Sequence, residues 1–373
     1  MRRLLPIITL FLISIAMCAA GSGGFTPLFN GKNLDGWVVE RDPAGFEVRD
    51  GCIHSEGGKG GFAIRTDRQF ANFILRMDWM LSKTGNSGVF IRYDAKAPDK
   101  IEAQLLAPWT PYRDDLHCTG SLYGYVPANP RPDETTLRWR KIEIRARYKT
   151  ISVFIDGMKT CEADYEKVPA LKGFPLTGYI GMQDSHTGPG EWVKFRNIEI
   201  KDLDQDPFFV MKGLVSKDSE IRQSALDAAV KLGPRMMGHL FPMLPKAKPE
   251  NAKIFETAIT RITNNESAPK AAGQAEVREM LIRRLYAESP NDRRDKVLAA
   301  RLLGTIGQSD GRTVHVLKLT VLNGGPAGDA ALDSMQMIPG KAMTEALTDL
   351  VSRVDASRRP AVVQALGARS PGN

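Results

Sequence analysis

A few residues in this chain have side chains able to move protons or orient a polar ligand. Glu102 and Gln104 stand two apart in the run IEAQLL. On an extended strand they share one face, setting a carboxylate beside an amide. His117 precedes TGSLYGY, and His186 lies in MQDSHTGPG two residues after Asp184. An imidazole titrates near neutrality and serves as either acid or base. Arg92, in NSGVFIRY, offers a guanidinium to Glu102 or to a substrate oxygen. Asn86, between Gly85 and Gly88, can shape a turn or bond a hydroxyl. Each has a plainer reading: spacing alone makes Glu102 and Arg92 solvent-facing strand residues, the histidines exposed loop residues and Asn86 a turn residue. Metal chemistry finds no support. The sequence has no CxxC or HExxH spacing and no oxygen-rich loop of the calcium type, so neither a metal nor a cofactor is expected.

The elements that must position these residues are strands. In FILRMDWML the apolar Phe73, Leu75, Met77, Trp79 and Leu81 alternate with Arg76 and Asp78. In KIEIRARY, Ile142, Ile144, Ala146 and Tyr148 alternate with Lys141, Glu143, Arg145 and Arg147. Period two marks half-buried antiparallel strands. ISVFI ends in Asp156-Gly157, a pair suited to a tight hairpin turn. Further short strands are expected at FEVRD, SGVFIRY, GYIGMQ and KFRNIEIKDL, with Trp37 and Trp79 in the core. Many short strands separated by Gly and Pro clusters predict a sandwich or jelly roll from Phe25 to Leu203.

Beyond Asp202 the alternation stops, and Ala, Leu and charged residues dominate. In SEIRQSALDAAVKLG, Ile221, Ala225, Ala228 and Leu232 fall on one helical face, with Gly233 placed as a cap. Comparable units are DKVLAARLLGTIGQ, closing at Gly307, EALTDLVSRV and PAVVQALG. Their recurrence resembles HEAT-type helical repeats over residues 207–368, with Asn264–Gln274 as an exposed loop. His239 and His315 stand alone there, so the tail suggests a protein-binding surface or a stabilising appendage rather than chemistry.

The 373 residues carry a net charge of +8, but Lys and Arg are scattered among acids without a basic stripe, so nucleic acid is not an expected partner. Arg2 and Arg3, the apolar run Leu4–Met17 and the small residues Ala19 to Ser22 read as a secretory signal cleaved after Ala20. That run falls short of the roughly 20 residues that span a bilayer, so no transmembrane segment is expected after signal removal. Lipid anchoring through Cys18 is the competing reading, with Met17 an awkward neighbour. Of the other cysteines, Cys52, Cys118 and Cys161, at least one must stay unpaired, and buried free thiols are the favoured reading.

An ordered set of motifs then carries a resemblance: PLFNGKNLDGW (Pro27 to Trp37), GNSGVFIRYD, IEAQLL, TGSLYGY and GYIGMQDSHTGPGEWVKFRNIEI (Gly178 to Ile200). Together they resemble the 3-keto-disaccharide hydrolase family, formerly a domain of unknown function, with a concanavalin-like jelly-roll fold. The resemblance covers essentially all of Phe25 to Leu203. It implies an exported enzyme acting on glycosides oxidised at C3, with Glu102 and a histidine (His186 ahead of His117) as catalytic candidates. Arg92, Gln104, Asp184 and Asn86 become binding candidates, and Trp109, Tyr112, Tyr123 and Tyr125 can stack on a sugar ring. Since Tyr123 and Tyr125 would alternate along one strand face, at least one of them should be structural. Two features depart from the family pattern: Ser185 separates Asp184 from His186, and Leu106-Ala107-Pro108-Trp109 follows where the family often places an acid. A carbohydrate-binding module without catalysis, carrying a helical interaction tail, is the alternative.

Overall fold

The computed structural model describes residues 23–97, 99–110 and 113–369. The N-terminal apolar segment with Cys18, and Tyr112, lie outside the described residues. The chain divides into two compact units, Met1–Asp202 and Leu203–Asn373.

The first unit is built from β1 (Thr26–Pro27), β2 (Trp37–Val39), β3 (Glu47–Arg49), β4 (Cys52–Glu56), β5 (Ala63–Thr66), β6 (Phe73–Leu81) and β7 (Asn86–Tyr93). There follow β8 (Ile101–Leu106), β9 (Arg140–Arg147), β10 (Thr150–Ile155), β11 (Met158–Asp164), β12 (Tyr179–Gln183) and β13 (Trp192–Asp202). They form two antiparallel sheets. One is eight-stranded, in the order β11-β10-β9-β6-β13-β4-β3 with β1 paired to β13; the other is five-stranded, β2-β5-β12-β7-β8. The expected all-β sandwich is therefore observed.

Alternation explains why the sheets face each other. Phe73, Leu75, Met77, Trp79 and Leu81 of β6 are buried, as are Ile142, Ile144 and Ala146 of β9. They meet Val89, Ile91, Ile101, Ala103, Leu105, Ile180 and Met182 from the five-stranded sheet in one core. Each of the larger aliphatic, Met and Phe side chains contributes roughly 1.5–3 kcal/mol by leaving water. Trp37 and Trp79 are core residues, and Cys52, Cys118 and Cys161 are free and buried.

Local chemistry sets the turns. Asp156 (φ 48°) and Gly157 (φ 85°) both lie in the left-handed region, as a two-residue hairpin between β10 and β11 requires. Tyr148 departs from the expected alternation: at φ 49° it belongs to the turn between β9 and β10 and not to the strand.

Among the described residues the second unit holds ten helices: α1 (Pro207–Leu214), α2 (Ser219–Leu232), α3 (Pro234–Met243), α4 (Pro249–Glu266), α5 (Gln274–Tyr286), α6 (Arg294–Ile306), α7 (Gly311–Asn323), α8 (Gly325–Met337), α9 (Lys341–Arg353) and α10 (Arg359–Gly367). Asp218 caps α2 by accepting from the amides of Glu220 (2.8 Å) and Ile221 (3.1 Å). Gly233 ends it at φ 57°, the conformation glycine adopts most readily. Gly307 ends α6 for a different reason. Its φ is −68°, but a Cβ there would lie 2.7 Å from Ile338 Cδ1, so close packing accounts for the glycine. The loop expected over Asn264–Gln274 is shorter than predicted. Helix α4 continues through Glu266, whose carboxylate accepts the Gly273 amide at 2.8 Å just before α5. Among the described residues no helix is long and apolar enough to cross a membrane.

Candidate active site

Strands β7 and β8 pair with Gly88 opposite Gln104 and Phe90 opposite Glu102. Because Ile101, Ala103 and Leu105 turn into the core, Glu102 and Gln104 stand together on the outer face of the five-stranded sheet. Glu102 lies across Gly88: a Cβ at that glycine would sit 1.9 Å from Glu102 Oε1. The missing side chain makes the space the carboxylate occupies. Burial there, offset only in part by Lys100, lifts the Glu102 carboxyl from 4.5 to about 7. Desolvation disfavours the charged form, which is the cause of such a rise.

Gln104 is buried and meets Asn86 at 2.9 Å. With its amide turned over, Nε2 lies 3.2 Å from Glu102 Oε1 and 3.3 Å from the Ser87 carbonyl, with the amide oxygen toward Asn86. This orientation gives the Glu102 carboxylate a donor, and with the Asn86 amide turned over as well its nitrogen donates to the Gln104 oxygen. Beyond Asn86 opens a cavity of about 220 Å³, lined by Asn86, Gln104, His117, Tyr123 and His186 with Leu106, Thr110 and Thr187.

The two histidines differ in support. His117 Nδ1 lies 2.7 Å from Asp114 Oδ1, and its ring packs edge-on against Tyr123 with centroids 4.6 Å apart. A carboxylate on Nδ1 fixes the ring and leaves Nε2 for chemistry. Burial alone would raise the Asp114 carboxyl; the bonds from His117 and from the Leu116 and His117 amides outweigh it and hold the group below its ordinary value. His186 is exposed and held through its backbone, which donates to the Asn86 carbonyl at 2.9 Å. Its loop packs against Gly57, where a Cβ would meet the Thr187 carbonyl at 2.3 Å.

Asp184 does not line the cavity. Its Oδ2 accepts the Phe62 amide at 2.8 Å, and its Oδ1 is buried without a partner. Burial raises this carboxyl against the lowering effect of the Phe62 amide, His186 and Arg41.

Three expectations need correction. Arg92 is buried away from Glu102: its Nε and Nη2 donate to the Ala71 carbonyl at 3.0 and 2.8 Å, and Nη1 to the Tyr165 hydroxyl at 3.2 Å. The cause is an irregularity in the β7–β12 pairing with Arg92 at φ 53°. It breaks the alternation that would have pointed the side chain outward. Trp109 is 71% exposed and lies outside the cavity lining. Tyr123 and Tyr125 do not alternate on a strand. They flank Gly124 (φ 72°) in a turn closed by a Leu122–Val126 bridge. Tyr123 faces the cavity, whereas Tyr125 packs edge-on against Phe174 at 5.9 Å, a structural role.

Sequence reasoning missed Asp114. The string Asp114-Asp115-Leu116-His117 places a carboxylate three residues before the imidazole, and the Asp114 side chain also accepts the Leu116 amide at 2.9 Å. An aspartate that turns the chain this way is the signal that was available. Among the described residues no group of three His, Cys, Asp or Glu side chains could hold a metal ion.

A sandwich with protonatable groups gathered over one outer face now has relatives to set beside it. The β-unit is similar to the 3-keto-alpha-glucoside-1,2-lyase-like domain family, whose model matches residues 24–201. A 3-keto-disaccharide hydrolase of Bacteroides thetaiotaomicron is 28% identical over 233 positions, covering 48% of this chain and 79% of that protein. Two crystal structures of a candidate glycosyl hydrolase from Parabacteroides distasonis are each 25% identical. They cover 48% of this chain and 94% and 99% of theirs, with TM-scores of 0.41 and 0.42. Family and relative together point to a protein that acts on carbohydrate.

Proposed function

We propose that the β-unit, taken as residues 25–203, cleaves glycosides that already carry a ketone at C3. The ketone acidifies the hydrogen at C2, so a positioned base can remove it. Glu102, held by the Gln104 amide, takes that proton, and the Asn86 amide stabilises the enolate oxygen at C3. The C1–oxygen bond then breaks as His117, oriented by Asp114, protonates the departing oxygen. Water adds across the C1–C2 double bond, hydroxyl to C1 and proton to C2, and releases the free 3-keto sugar. Tyr123 supplies a ring face for the pyranose, and His186 stands at the rim of the cavity.

The observation that carries this reading is geometric: Gln104, which contacts Glu102, lines with Asn86 a cavity that also holds the Asp114-supported His117, and burial lifts the Glu102 carboxyl behind it to about 7. A carboxylate with that affinity for protons is a stronger base at neutral pH than an ordinary one. The basic, apolar and small-residue order of the first 22 residues supports export of this activity. The helical unit, taken as residues 207–368, we read as a HEAT-like array that offers a surface to a protein partner.

The direct test incubates the mature protein with a 3-keto-glucoside and follows release of 3-keto-glucose. Turnover is expected, with His117→Ala slower than His186→Ala. Binding of the sugar without turnover would replace this reading with a carbohydrate-binding module.

A further inference from the structure

The loop that carries Asp114 and His117 is held at both ends by one buried carboxylate, which the proposed reaction does not use. Glu134 lies in the irregular connection between that loop and β9 and is 5% exposed. Its Oε2 accepts from Arg113, from Nε at 2.6 Å and also from Nη2. Its Oε1 accepts the Thr119 amide at 3.1 Å. Arg113 immediately precedes Asp114, and Thr119 follows His117 by two residues. A single carboxylate therefore closes a bracket around the aspartate and the imidazole.

The far side of the bracket is fastened to the strand of the proposed base. Thr119 Oγ1 accepts the Leu106 amide and donates to the Leu106 carbonyl, both at 2.9 Å. The Gly120 amide donates to the Gln104 carbonyl at 2.9 Å, and the Tyr123 amide to the Glu102 carbonyl at 2.9 Å. Residues 119–123 thus run beside β8 from Leu106 back to Glu102, and Glu134 ties Arg113 to the first of them. Asp115 and Leu116 are braced through their carbonyls by the Ala128 amide at 2.8 Å and the Gly124 amide at 3.1 Å. Those two donors belong to the same irregular stretch of chain, so they shape the loop without fixing Arg113 against the strand. A buried ion pair is weak evidence for stability, because apolar groups of the same shape often serve as well. What a carboxylate with three donors fixes is direction.

We propose that Glu134 is a positioning residue: by clamping Arg113 to Thr119 it holds the His117 imidazole at a set distance from Glu102, so that acid and base meet the same sugar ring. The inference rests on the acid role given to His117 under the proposed function. A displacement of about 1 Å in a reacting group costs on the order of 10²-fold in rate, which is the scale on which such a clamp acts.

Glu134→Gln keeps an acceptor for the Thr119 amide but turns an NH2 group toward Arg113, which releases it. Hydrogen exchange of the full-length protein reads the clamp without substrate. Amides of residues 114–122 should exchange at least about tenfold faster than in the wild-type, with those of β6 and β9 unchanged. Arg113→Met, made from the more exposed partner, should loosen the same stretch. On a 3-keto-glucoside, Glu134→Gln should lower kcat by about 10–100-fold with KM held within about twofold. A loss of folded protein would slow every background alike, so the deciding variant is the double one. Glu134→Gln should have no further effect on the rate of His117→Ala. Unchanged loop exchange in both single variants, a wild-type kcat in Glu134→Gln, or a full additional loss in the His117→Ala background would each overturn the proposal. A wild-type without turnover would sink the proposed reaction instead, and loop exchange alone would then uphold or overturn the clamp.

Discussion

The outer faces of the two sheets carry carboxylates that were treated in opposite ways. The eight-stranded sheet has the larger depression, about 720 Å³, lined by Arg76, Asp78, Glu143, Arg145 and Phe154 among others. There each of these acids has a basic partner. Glu143 accepts from Arg76 and Arg145, both at 2.5 Å. Asp78 accepts from Arg196 at 3.3 Å and Asn197 at 2.7 Å. Burial would raise Glu143, but the two guanidiniums hold it below its ordinary value. On the five-stranded sheet Glu102 has only amides and a distant lysine, and it rises to about 7. Size favours the first face and chemistry the second. A satisfied ion-pair network gives nothing to a substrate, whereas a carboxyl poised near neutrality can exchange its proton.

Exchanging the two acids for amides breaks that comparison most sharply. Glu102→Gln should cut turnover of a 3-keto-glucoside by about a thousandfold, since a positioned acid–base group contributes roughly 10²–10⁴. Glu143→Gln should leave turnover unchanged. Equal losses in the two variants would remove the distinction between the faces, and an active Glu102→Gln would remove Glu102 from the mechanism.

Stability should answer in the opposite direction at the same position. The folded protein holds the Glu102 proton more tightly than the unfolded chain does. Its penalty is therefore absent below about 4.5, grows as pH rises and is complete above about 7. The upward shift corresponds to about 3 kcal/mol, at roughly 1.4 kcal/mol per pH unit. Glu102→Gln should melt with the wild-type at pH 4 and increasingly above it toward pH 8. Parallel melting curves across that range would show that Glu102 is not desolvated.

The contrast also explains what the sequence could show. Alternation in FILRMDWML and KIEIRARY located the core faces because each strand obeys one period from end to end. The same rule set Glu102 and Gln104 side by side. It failed at Arg92, where a positive φ and a slipped pairing reverse the side chain within a single residue, a tertiary event with no local composition signal. It failed at Tyr123 and Tyr125 because Gly124 bends the chain between them. The Asp114–His117 pair lay in an irregular loop where no period applies. The rise at Glu102 depends on Gly88 in the neighbouring strand, and a register between strands is invisible to a single run of sequence. The helices followed their periodic apolar faces closely. That holds for α2, α6, α9 and α10; α1, α3, α5, α7 and α8, the reason for Gly307 and the length of α4 needed the packed structure.

The smallest effect tests the satisfied face. Glu143 has a folded pKa below that of the unfolded chain, so its contribution is present above about 4.5 and is lost as pH falls through the folded value. The Glu143 side chain is 16% exposed, but its partners Arg76 and Arg145 are 46% and 37% exposed. Solvent screening at those guanidiniums limits the network to about 1 kcal/mol. Glu143→Gln should therefore lower the melting temperature modestly at pH 7 and converge on the wild-type in acid, mirroring Glu102→Gln. High salt should shrink the Glu143 effect, because partly exposed pairs are screened, and leave the Glu102 effect nearly unchanged, because that one arises from burial. A salt-sensitive Glu102 and a salt-insensitive Glu143 would reverse the physical assignment of the two faces.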